Sequence, residues 1–281
     1  MQPKTVLITG ASSGIGWETA KLLMLRNIKV YAASRHPERT KTDEIELLKA
    51  SYSHCTGHII PVKMDVNEEK DIVSVLSKIL NENSTLDAVI CNAGNGIAGS
   101  IEDTSIDEAK YQFETNFFGA MKTIQACLPV FRKQGYGKII TTSSVAAVVP
   151  IPFQAFYSAS KSALSILMKA LYMETKQFGI QCCNVLPGDT KTEFTSCRKY
   201  TEYSQYENSA YTKRLKKAIS KMEKDEMNGM EAKFIAKKIV NQVIKKRMKT
   251  TVIPGFQYKI LYFAYTIFPA KLKLWVVEKL Y

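Results

Sequence analysis

Short apolar segments alternate with amphipathic segments along the first two thirds of the chain. The first apolar segment, KTVLIT, is followed by a glycine-rich turn and then by WETAKLLMLRN, whose apolar residues have helical spacing. The same alternation recurs with the apolar segments IKVYAAS, HIIPVKM, LDAVIC, KIITTSS and IQCCNVL. Strands that are apolar at nearly every position need cover on both faces, so the pattern predicts a parallel sheet between two layers of helices.

The segments between these strands predict helices near 41–51, 68–80, 107–134 and 156–178. Their lengths suit the crossovers that parallel strands require. At 281 residues the chain is long enough for one large domain, and no repeat or linker divides it. We therefore expect a single α/β domain with a doubly wound parallel sheet, helices on both faces of the sheet, and a C-terminal helical extension.

The alternation ends after Pro187. The polar stretch that follows contains four tyrosines, at Tyr200, Tyr203, Tyr206 and Tyr211. It leads into a basic helix, LKKAISKMEK, and we expect residues 188–228 to form a substrate loop. A further helix near 230–246 and the short segment TTVIP should return the chain to the edge of the sheet, so that the main part of the domain covers residues 1–254.

The most apolar continuous segment, GFQYKILYFAYTIF, lies between Pro254 and Pro269 and has 14 residues. A helix needs about 20 apolar residues to span a bilayer, so this segment is too short. We expect residues 255–281 to be an apolar and basic extension of the same domain. The sequence leaves three roles open for it: a cover over the substrate, a peripheral membrane contact, or a subunit interface.

Charge and cysteine content narrow the class of protein. The formal net charge is +13, and residues 191–281 carry 20 Lys and Arg against 8 Asp and Glu. This asymmetry favours an anionic partner or a solvated helix face, but no nucleic-acid recognition motif accompanies it, so we expect no nucleic-acid partner. The six cysteines form no Cys-x-x-Cys pair and no metal-binding spacing with histidine, which favours buried, reduced thiols and no metal site.

The start of the chain bears on its location. The first predicted strand begins within three residues of Met1, which leaves no room for a cleaved secretory signal. We therefore expect a cytoplasmic protein that is not secreted, with membrane association through residues 255–281 as an open alternative.

The turn after the first strand is rich in glycine: Gly10-Ala11-Ser12-Ser13-Gly14-Ile15-Gly16. Glycines at a strand-to-helix turn let the backbone approach a pyrophosphate at the helix N-terminus, so the turn predicts a dinucleotide site. Its spacing, G-x-x-x-G-x-G, departs from the G-x-G-x-x-G of the general dinucleotide fingerprint.

A second motif places a tyrosine and a lysine on one predicted helix. Tyr157 and Lys161 are four residues apart in SVAAVVPIPFQAFYSASK, so their side chains share a face. A phenol has an ordinary pKa of about 10, and a fixed ammonium beside it favours the phenolate and lowers that pKa. Tyr157 could then exchange a proton with an alcohol or a ketone.

Further motifs occur in a fixed order along the chain. They are TGASSGIG, Asp65-Val66, Asn92-Ala93-Gly94, Asn116, Ser144, Tyr157-x-x-x-Lys161, and Pro187-Gly188 with Thr192. In this combination the chain resembles the short-chain dehydrogenase/reductase family in its classical form, over about residues 4–195. Each motif alone has a structural explanation, such as a turn or a helix cap. The resemblance implies a Rossmann fold, a nicotinamide cofactor, and hydride transfer between the nicotinamide and a carbonyl carbon, which interconverts a carbonyl and an alcohol.

The resemblance also implies roles for single residues. Tyr157 is the general acid or base, and Ser144 polarises the carbonyl. Lys161 binds the nicotinamide ribose, and Asn116 holds a water that links Lys161 to solvent. The cofactor-binding residues that the resemblance implies are Gly10, Ser12, Ser13, Gly14, Ile15, Gly16, Ser34, Arg35, Asp65, Val66, Asn92, Ala93, Gly94, Tyr157, Lys161, Pro187, Gly188, Thr190 and Thr192.

The end of the second strand governs the choice of cofactor, because an acidic residue there favours NAD and an arginine accommodates the 2′-phosphate of NADP. Ser34-Arg35 occupies this position without an acid, so we expect NADP(H) to be preferred. NAD(H) stays an alternative, because Arg35 could stack on the adenine of either cofactor. Asp65 and Val66 are implied to contact the adenine, and capping of the following helix is the alternative for Asp65.

The function expected is an NADPH-dependent oxidoreductase that interconverts a carbonyl and an alcohol on a small hydrophobic substrate of the steroid, retinoid or lipid class. Seven aromatic residues in the last third could form an apolar cover over it: Tyr200, Tyr203, Phe256, Tyr258, Tyr262, Phe263 and Phe268. We expect a homodimer or homotetramer. The rival hypothesis is a catalytically idle NADPH-binding sensor.

Overall fold

The computed structural model of the protein describes residues 4–52, 54–205 and 209–280, so Tyr206 lies outside the described residues. The strands are β1 Thr5–Thr9, β2 Lys29–Ser34, β3 His58–Lys63, β4 Ala88–Cys91, β5 Ile97–Ala98, β6 Gly137–Thr142, β7 Ile180–Val185, β8 Thr190–Lys191, β9 Lys199–Tyr200, β10 Met230–Glu231 and β11 Thr251–Val252. The α-helices are α1 Gly14–Met24, α2 Thr42–Ser51, α3 Glu69–Asn83, α4 Ile106–Phe113, α5 Ala120–Gln134, α6 Ala155–Thr175, α7 Thr212–Met227, α8 Ala232–Ile244, α9 Phe256–Ile267 and α10 Ala270–Leu280.

The central sheet of the described residues has seven strands in the order β11-β7-β6-β4-β1-β2-β3. All of its neighbouring strands run parallel. The chain leaves β1 towards one edge and returns to β4 on the other side, so the strand order reverses between these two strands. Ligands of doubly wound folds bind in the crevice that such a reversal opens at the carboxyl ends of the strands. The predicted fold class, a doubly wound parallel sheet, is confirmed.

Two apolar layers hold the helices against the sheet. On one face, Ile72 of α3, Phe131 of α5 and Leu164 of α6 pack against the sheet. On the other face, Leu23 of α1 and Ile235 of α8 do so. The strands β1, β4, β6 and β7 are buried along their lengths, apart from single half-buried positions, which explains their nearly unbroken apolar sequences.

The helix predicted over 107–134 is divided. Residues 114–119 form a π-helical turn between α4 and α5, and Asn116 within it is completely buried. Apolar spacing carries no signal for such a turn, which inserts one residue into a helix that otherwise keeps its direction. Turns of this kind occur frequently at functional sites.

The C-terminal part returns to the edge of the sheet and then forms a helical extension of two helices, as predicted. β11 pairs with β7, with Thr251 opposite Asn184, as expected for the segment TTVIP. α9 and α10 follow, and Val277 of α10 is buried against Val145 and Leu186. Among the described residues, none of the helices combines the length and the apolar composition that crossing a membrane requires.

The cysteines depart from the prediction of buried thiols at two positions, because Cys55 is half-buried and Cys197 is exposed. Cys91, Cys127, Cys182 and Cys183 are buried, and burial raises the pKa of each thiol. Cys197 is exposed, because it lies in the loop between β8 and β9 rather than in a strand or a core helix.

Candidate active site

A cavity of about 650 Å³ opens at the carboxyl ends of the central strands. The predicted site residues that line it are Gly10, Ser12, Ser13, Gly14, Ile15, Ser34, Arg35, Asp65, Val66, Asn92, Ala93, Gly94, Ser144, Tyr157, Lys161, Pro187, Gly188, Thr190 and Thr192. Two further predicted residues, Gly16 and Asn116, lie behind this surface. The predicted residues that line the cavity are spread over more than 180 positions of the sequence, from Gly10 to Thr192. The parallel strands that precede them bring them to one site.

The glycine-rich turn brings two backbones into close contact. Gly10 has a positive φ of 63°, and a Cβ at this position would lie 2.7 Å from the Cα of Ala93. Gly16 does not face the cavity, since a Cβ there would lie 2.2 Å from the Gly10 carbonyl oxygen. Gly16 therefore allows α1 to pack on the turn, while Gly10 allows the turn to pack on the end of β4.

The N-terminus of α1 is open to the cavity. The helix begins at Gly14, its first turn contains no acidic side chain, and the Ser13 side chain makes no capping hydrogen bond. The first N–H groups of a helix lack partners within the helix, and the helix dipole places partial positive charge there. This end of α1 therefore suits a phosphate group.

The end of β4 is tied to the end of β1 by a residue that we did not single out from the sequence. The Thr9 hydroxyl accepts hydrogen bonds from the backbone N–H groups of Asn92, at 3.0 Å, and of Ala93, at 3.1 Å. The Asn92 side-chain amide donates to the Gly10 carbonyl oxygen at 2.9 Å. Thr9 and Asn92 therefore fix the floor of the cavity.

Asn116 acts on the segment after β4 through two hydrogen bonds to one residue. Its side-chain oxygen accepts from the Asn95 N–H at 2.8 Å, and its side-chain nitrogen donates to the Asn95 carbonyl oxygen at 3.0 Å. The same nitrogen lies 3.3 Å from the Ser160 hydroxyl on α6. A Cβ at Gly94 would lie 3.1 Å from the Asn116 oxygen and 3.4 Å from Lys161 Nζ, so Gly94 leaves a gap that both residues border.

Ser144, Tyr157 and Lys161 meet on one side of the cavity. Ser144 follows β6, and its hydroxyl accepts a hydrogen bond from the Ala146 N–H at 3.1 Å and hydrogen-bonds Tyr157. Lys161 is buried, its Nζ donates to the Thr142 carbonyl oxygen at 3.0 Å, and it lies 5.9 Å from the centre of the Tyr157 ring. One turn of α6 separates Tyr157 from Lys161, as the spacing predicts.

Burial, rather than the neighbouring ammonium, determines the protonation of these two residues. It raises the pKa of Tyr157 to about 12, although a hydrogen bond from Ser144 opposes the shift. It lowers the pKa of Lys161 to about 8. The expectation that Lys161 lowers the pKa of Tyr157 is therefore wrong for the protein alone, because the low polarity around both groups outweighs their mutual interaction. The Tyr157 phenol is therefore protonated at neutral pH.

The opposite end of the cavity is basic. Arg35 lines it, as predicted, and so do Arg39 and Lys41, which the sequence analysis missed. The hydroxyl of Ser34 is buried without a protein hydrogen-bond partner. The signal that could have identified Arg39 and Lys41 is their position in the connection from β2 to α2, which begins at this end of the sheet.

Asp65 and Val66 line the cavity next to this basic end. The Asp65 carboxylate accepts a hydrogen bond from the Asn67 N–H at 3.0 Å, which closes a local turn. α3 begins at Glu69 and its N-cap is Glu68, so the alternative role of Asp65 as the cap of that helix is not what the structure shows.

α9 closes the cavity beyond β7. The Tyr258 hydroxyl donates to the Asp189 carboxylate at 2.8 Å and accepts from the Asp189 N–H at 3.0 Å. A Cβ at Gly188 would lie 2.1 Å from the Tyr258 ring, so glycine is required for this contact. Burial raises the pKa of Asp189.

The aromatic cover differs from the predicted one. Of the seven residues proposed, Tyr258 lines the cavity and Tyr262 is partly buried against the cluster that contains Val145 and Leu186. The other five side chains are exposed: Tyr200, Tyr203, Phe256, Phe263 and Phe268. Phe194, two residues after Thr192, lies beside Tyr157 instead, with its ring centre 5.6 Å from that of Tyr157. Hydrophobicity alone did not distinguish an aromatic residue that faces the cavity from one that faces solvent.

A buried ion pair supports this wall. Arg198 is buried, bonds to the Glu226 carboxylate, and lies 5.8 Å from the centre of the Phe194 ring. Glu226 lines the cavity, and the Thr195 hydroxyl donates to its other oxygen at 2.7 Å. The Nε and Nη1 groups of Arg198 are buried without a partner. No sequence signal connects these residues, because they meet only after α7 has packed on the loop.

These observations fit a nicotinamide dinucleotide. The open N-terminus of α1 suits its pyrophosphate, Lys161 can reach a ribose, and the basic end can hold a further phosphate. Among the described residues, no group of three or more His, Cys, Asp or Glu side chains is arranged to hold a metal ion.

Comparison with known proteins gives the same assignment. The sequence model of a family described as short chain dehydrogenase matches residues 4–202. A protein of Bacteroides thetaiotaomicron named 3-ketodihydrosphingosine reductase is 35% identical over 280 residues, which cover 100% of this chain and 96% of that protein. An NADP-dependent 3-hydroxy acid dehydrogenase of Schizosaccharomyces pombe is 34% identical over 207 residues, which cover 73% of this chain and 78% of that protein.

A solved structure shows the same fold at lower identity. A short-chain dehydrogenase from Streptomyces avermitilis has a TM-score of 0.80 and 24% identity, over 99% of this chain and 96% of that one. The likeness therefore extends through α9 and α10.

Lys161→Met should alter the pH dependence of the free energy of unfolding. Lys161 has a pKa of about 8 in the folded protein, against an ordinary value of 10.5. Between these values the unfolded chain binds a proton that the folded chain has released, so the contribution of Lys161 to stability rises with pH. We expect the wild-type free energy of unfolding, minus that of the variant, to rise by about 2 kcal/mol over about two pH units above pH ~8.

Urea titrations at several pH values would measure this difference. Subtraction of the variant's free energy of unfolding cancels the contributions of the buried thiols and tyrosines. These groups titrate at nearby pH values and change the free energy of unfolding in the opposite direction. The exposed lysine of β3 provides a matched control, Lys63→Met, for the loss of a lysine at the surface. A difference between wild type and Lys161→Met that does not change with pH would contradict the lowered pKa.

Proposed function

The chain belongs to the short-chain dehydrogenase family, and we propose that it is an NADPH-dependent reductase that interconverts a carbonyl and an alcohol on a hydrophobic, lipid-like substrate. The observation that supports this most directly is the convergence of Ser144, Tyr157 and Lys161 on one cavity whose far end carries Arg35, Arg39 and Lys41. The residues proposed for the chemistry and the basic residues proposed for the adenosine phosphate then lie at opposite ends of the same site.

The catalytic roles follow from the protonation states. Bound nicotinamide supplies or accepts the hydride. Tyr157 holds its proton at neutral pH and delivers it to the carbonyl oxygen, while the Ser144 hydroxyl donates a hydrogen bond to that oxygen. Lys161, whose pKa is about 8, remains mostly charged at neutral pH and stabilises the phenolate that forms. Asn116 bonds to both Asn95 and Ser160 and so fixes the segment after β4 relative to α6. In its proposed role it also holds a water next to Lys161.

The preference for NADPH is proposed from charge. Arg35, Arg39 and Lys41 give the adenosine end of the cavity three cationic side chains, and a 2′-phosphate adds a dianionic group there. The relative from Schizosaccharomyces pombe is NADP-dependent by name. NAD(H) is the second candidate, since Arg35 can also stack on an adenine.

A hydrophobic substrate is proposed from the wall around Tyr157. Val149, Ile151, Phe194 and Leu261 line the cavity on the side away from the basic end. The relative from Bacteroides thetaiotaomicron is named as a reductase of a keto lipid. We treat residues 255–281 as an extension of the same domain, because Tyr258 and Leu261 of α9 contribute to this wall.

The outer surface of the C-terminal helices supports a peripheral membrane contact. Phe263 on α9 and Trp275 on α10 have exposed fractions of 66% and 56%. Lys259, Lys271, Lys273 and Lys279 lie among such residues, and lysine stems can lie along apolar surface while their charges reach anionic headgroups. A homodimer or homotetramer is proposed as well, since α6 exposes Ile166 and Met173.

Tyr157→Phe should abolish turnover and leave NADPH affinity nearly unchanged, because the substitution removes one hydroxyl and little volume. General acid catalysis of this kind contributes ~100-fold or more. Steady-state kinetics with hydrophobic ketones and a fluorescence titration of NADPH would measure the two effects, with Tyr52→Phe at an exposed position as control. More than about a tenth of the wild-type kcat in the variant contradicts the assignment. NADPH binding by the wild type without turnover of any ketone favours the idle sensor.

Arg35→Asp should shift the preference from NADPH towards NADH, because it replaces attraction to the 2′-phosphate by repulsion. A charge-assisted hydrogen bond contributes roughly 1.5–3 kcal/mol. The kcat/KM with NADPH divided by the kcat/KM with NADH should therefore fall by about one to two decades. Arg26→Asp makes the same charge change at an exposed position that does not line the cavity. An unchanged cofactor ratio in Arg35→Asp means that Arg35 does not bind the phosphate.

Phe263→Glu with Trp275→Glu should prevent sedimentation with anionic vesicles at low salt, because the two carboxylates replace exposed apolar surface. Leu47→Glu, at an exposed position of α2, is the matched control and should sediment like wild type. Light scattering would give the oligomeric state of each protein. If the double variant dissociates and the wild type ignores vesicles, the surface is a subunit contact instead.

A further inference from the structure

The segment after β7 forms one wall of the active-site cavity. It covers residues 187–192, and all of these except Lys191 line the cavity. We call this segment the β7 wall. Tyr258 lines the cavity as well, although it belongs to α9 of the C-terminal extension. A helix of the extension therefore meets the cavity at this wall.

The β7 wall runs from the reacting end of the cavity to the glycine-rich turn. At its first residue, the Pro187 carbonyl oxygen accepts a hydrogen bond at 2.8 Å from the N–H of Val145, the residue after Ser144. At its last residue, the wall reaches the start of α1, since a Cβ at Gly14 would lie 3.4 Å from the Thr192 Cβ. A dinucleotide with its pyrophosphate at the N-terminus of α1 and its reacting ring near Ser144 therefore lies along this wall.

The position of the nicotinamide follows from the chemistry proposed for the site. Hydride transfer needs contact between the nicotinamide and the carbonyl carbon, and a small displacement of either group lowers the rate strongly. The carbonyl is proposed to lie between Ser144 and Tyr157, so the nicotinamide lies next to this pair. Because Pro187 is bonded to the residue after Ser144, the first half of the β7 wall, residues 187–189, borders the nicotinamide.

Tyr258 holds this half of the wall in place. Its hydroxyl accepts a hydrogen bond from the Asp189 N–H at 3.0 Å and donates one to the Asp189 carboxylate at 2.8 Å. Its ring lies against Gly188, where a Cβ would be 2.1 Å from the ring. The Met230 N–H also supports the segment, by donating to the Asp189 carbonyl oxygen at 2.9 Å. Glycine restricts its own backbone less than any other residue, so what packs on Gly188 sets its position.

Tyr258 is itself fixed by its surroundings. It packs against the buried cluster that contains Val145 and Leu186. Gly255, with a φ of 82°, turns the chain into α9, and a Cβ there would lie 2.9 Å from the Tyr258 ring and 2.9 Å from the Met230 sulfur. Tyr258 therefore has a fixed place relative to the ends of β6 and β7, and the wall rests on a rigid support.

We propose that Tyr258 is a positioning residue for the nicotinamide end of the cofactor, and that it acts through Gly188 and Asp189. The inference rests on the proposed function, and it gives residues 255–281 a role besides the three that the sequence left open. Tyr258 fixes the wall that borders the nicotinamide, whereas the basic residues proposed for the adenosine phosphate lie at the opposite end of the cavity. Loss of the Tyr258 hydroxyl should therefore affect one end of the cofactor and not the other.

The test compares two ligands. Isothermal titration calorimetry gives the Kd of NADPH and the Kd of adenosine 2′,5′-bisphosphate, which keeps the adenosine end of NADPH and lacks the nicotinamide and its ribose. Tyr258→Phe removes both hydrogen bonds of the hydroxyl and keeps the ring on Gly188. Tyr265→Phe is the matched control, because it makes the same substitution on α9 at a partly buried position that does not line the cavity.

For Tyr258→Phe, the Kd of NADPH should rise at least about fivefold, because two hydrogen bonds that fix the wall are lost. The kcat with a hydrophobic ketone should fall about tenfold, because the nicotinamide is no longer held at the carbonyl. The Kd of the bisphosphate should stay within about twofold of the wild-type value. Tyr265→Phe should leave all three quantities unchanged.

A second variant tests whether Tyr258 acts through Asp189. Asp189→Ala removes the carboxylate and keeps the N–H that donates to Tyr258, so its Kd for NADPH should rise less than that of Tyr258→Phe. Substitutions that remove the same contact have non-additive effects. The double variant should therefore bind NADPH as Tyr258→Phe does, and additive effects overturn the action through Asp189.

The remaining outcomes separate the inference from the proposed function. An equal rise of both Kd values in Tyr258→Phe means a general structural role and overturns the inference. An unchanged Kd of NADPH also overturns it and leaves the reductase function intact; if the KM for the ketone rises at the same time, Tyr258 contacts the substrate instead. If the wild type does not bind NADPH, the proposed function fails and the inference fails with it.

Discussion

The close approach of the β1–α1 turn to the end of β4 is the constraint on which the rest of the site depends. No side chain fits at Gly10 against Ala93, and the Thr9 hydroxyl and the Asn92 amide bond the two segments together. Three residues further along the chain, hydrogen bonds run from Asn95 through Asn116 to Ser160, whose hydroxyl donates to the Tyr157 carbonyl oxygen at 2.7 Å. The segment from Asn92 to Asn95 thus connects the glycine-rich turn with α6, the helix that carries Tyr157. The π-helical turn serves these hydrogen bonds, because it brings Asn116 between Asn95 and Ser160.

Burial shifts the pKa values of Tyr157 and Lys161 in opposite directions. The same low polarity keeps Tyr157 protonated and brings Lys161 close to losing its proton. An ammonium with a pKa near 8 responds to any charge brought beside it, including a cofactor phosphate or a phenolate. The protonation of Tyr157 and Lys161 therefore depends on what binds beside them, whereas that of a solvent-exposed pair with the same spacing would not.

The sequence predicted the layers of the fold well and the details of the site unevenly. Apolar runs such as those of β1 and β7 carry a strong signal, because parallel strands are buried on both faces. The π-helical turn carried none, since Asn116 is placed there by hydrogen bonds to Asn95 and not by periodicity. Arg198 and Glu226 are 28 positions apart and meet only through tertiary packing. The aromatic residues of α9 were predicted as a cover, but helix geometry turns Phe256 and Phe263 outward and Tyr258 inward.

The contact between Gly188 and Tyr258 has a consequence for synthesis on the ribosome. Every strand from β1 to β7 precedes Tyr258 in the chain, and so do Ser144, Tyr157 and Lys161. The chain is made from its N-terminus, and a domain generally folds as a unit. The strands of the sheet and the glycine-rich turn are therefore synthesised before Tyr258, whereas the wall that Tyr258 forms with Asp189 has to wait for it. The order of the sequence itself makes the closure of this wall one of the last contacts available to the folding domain.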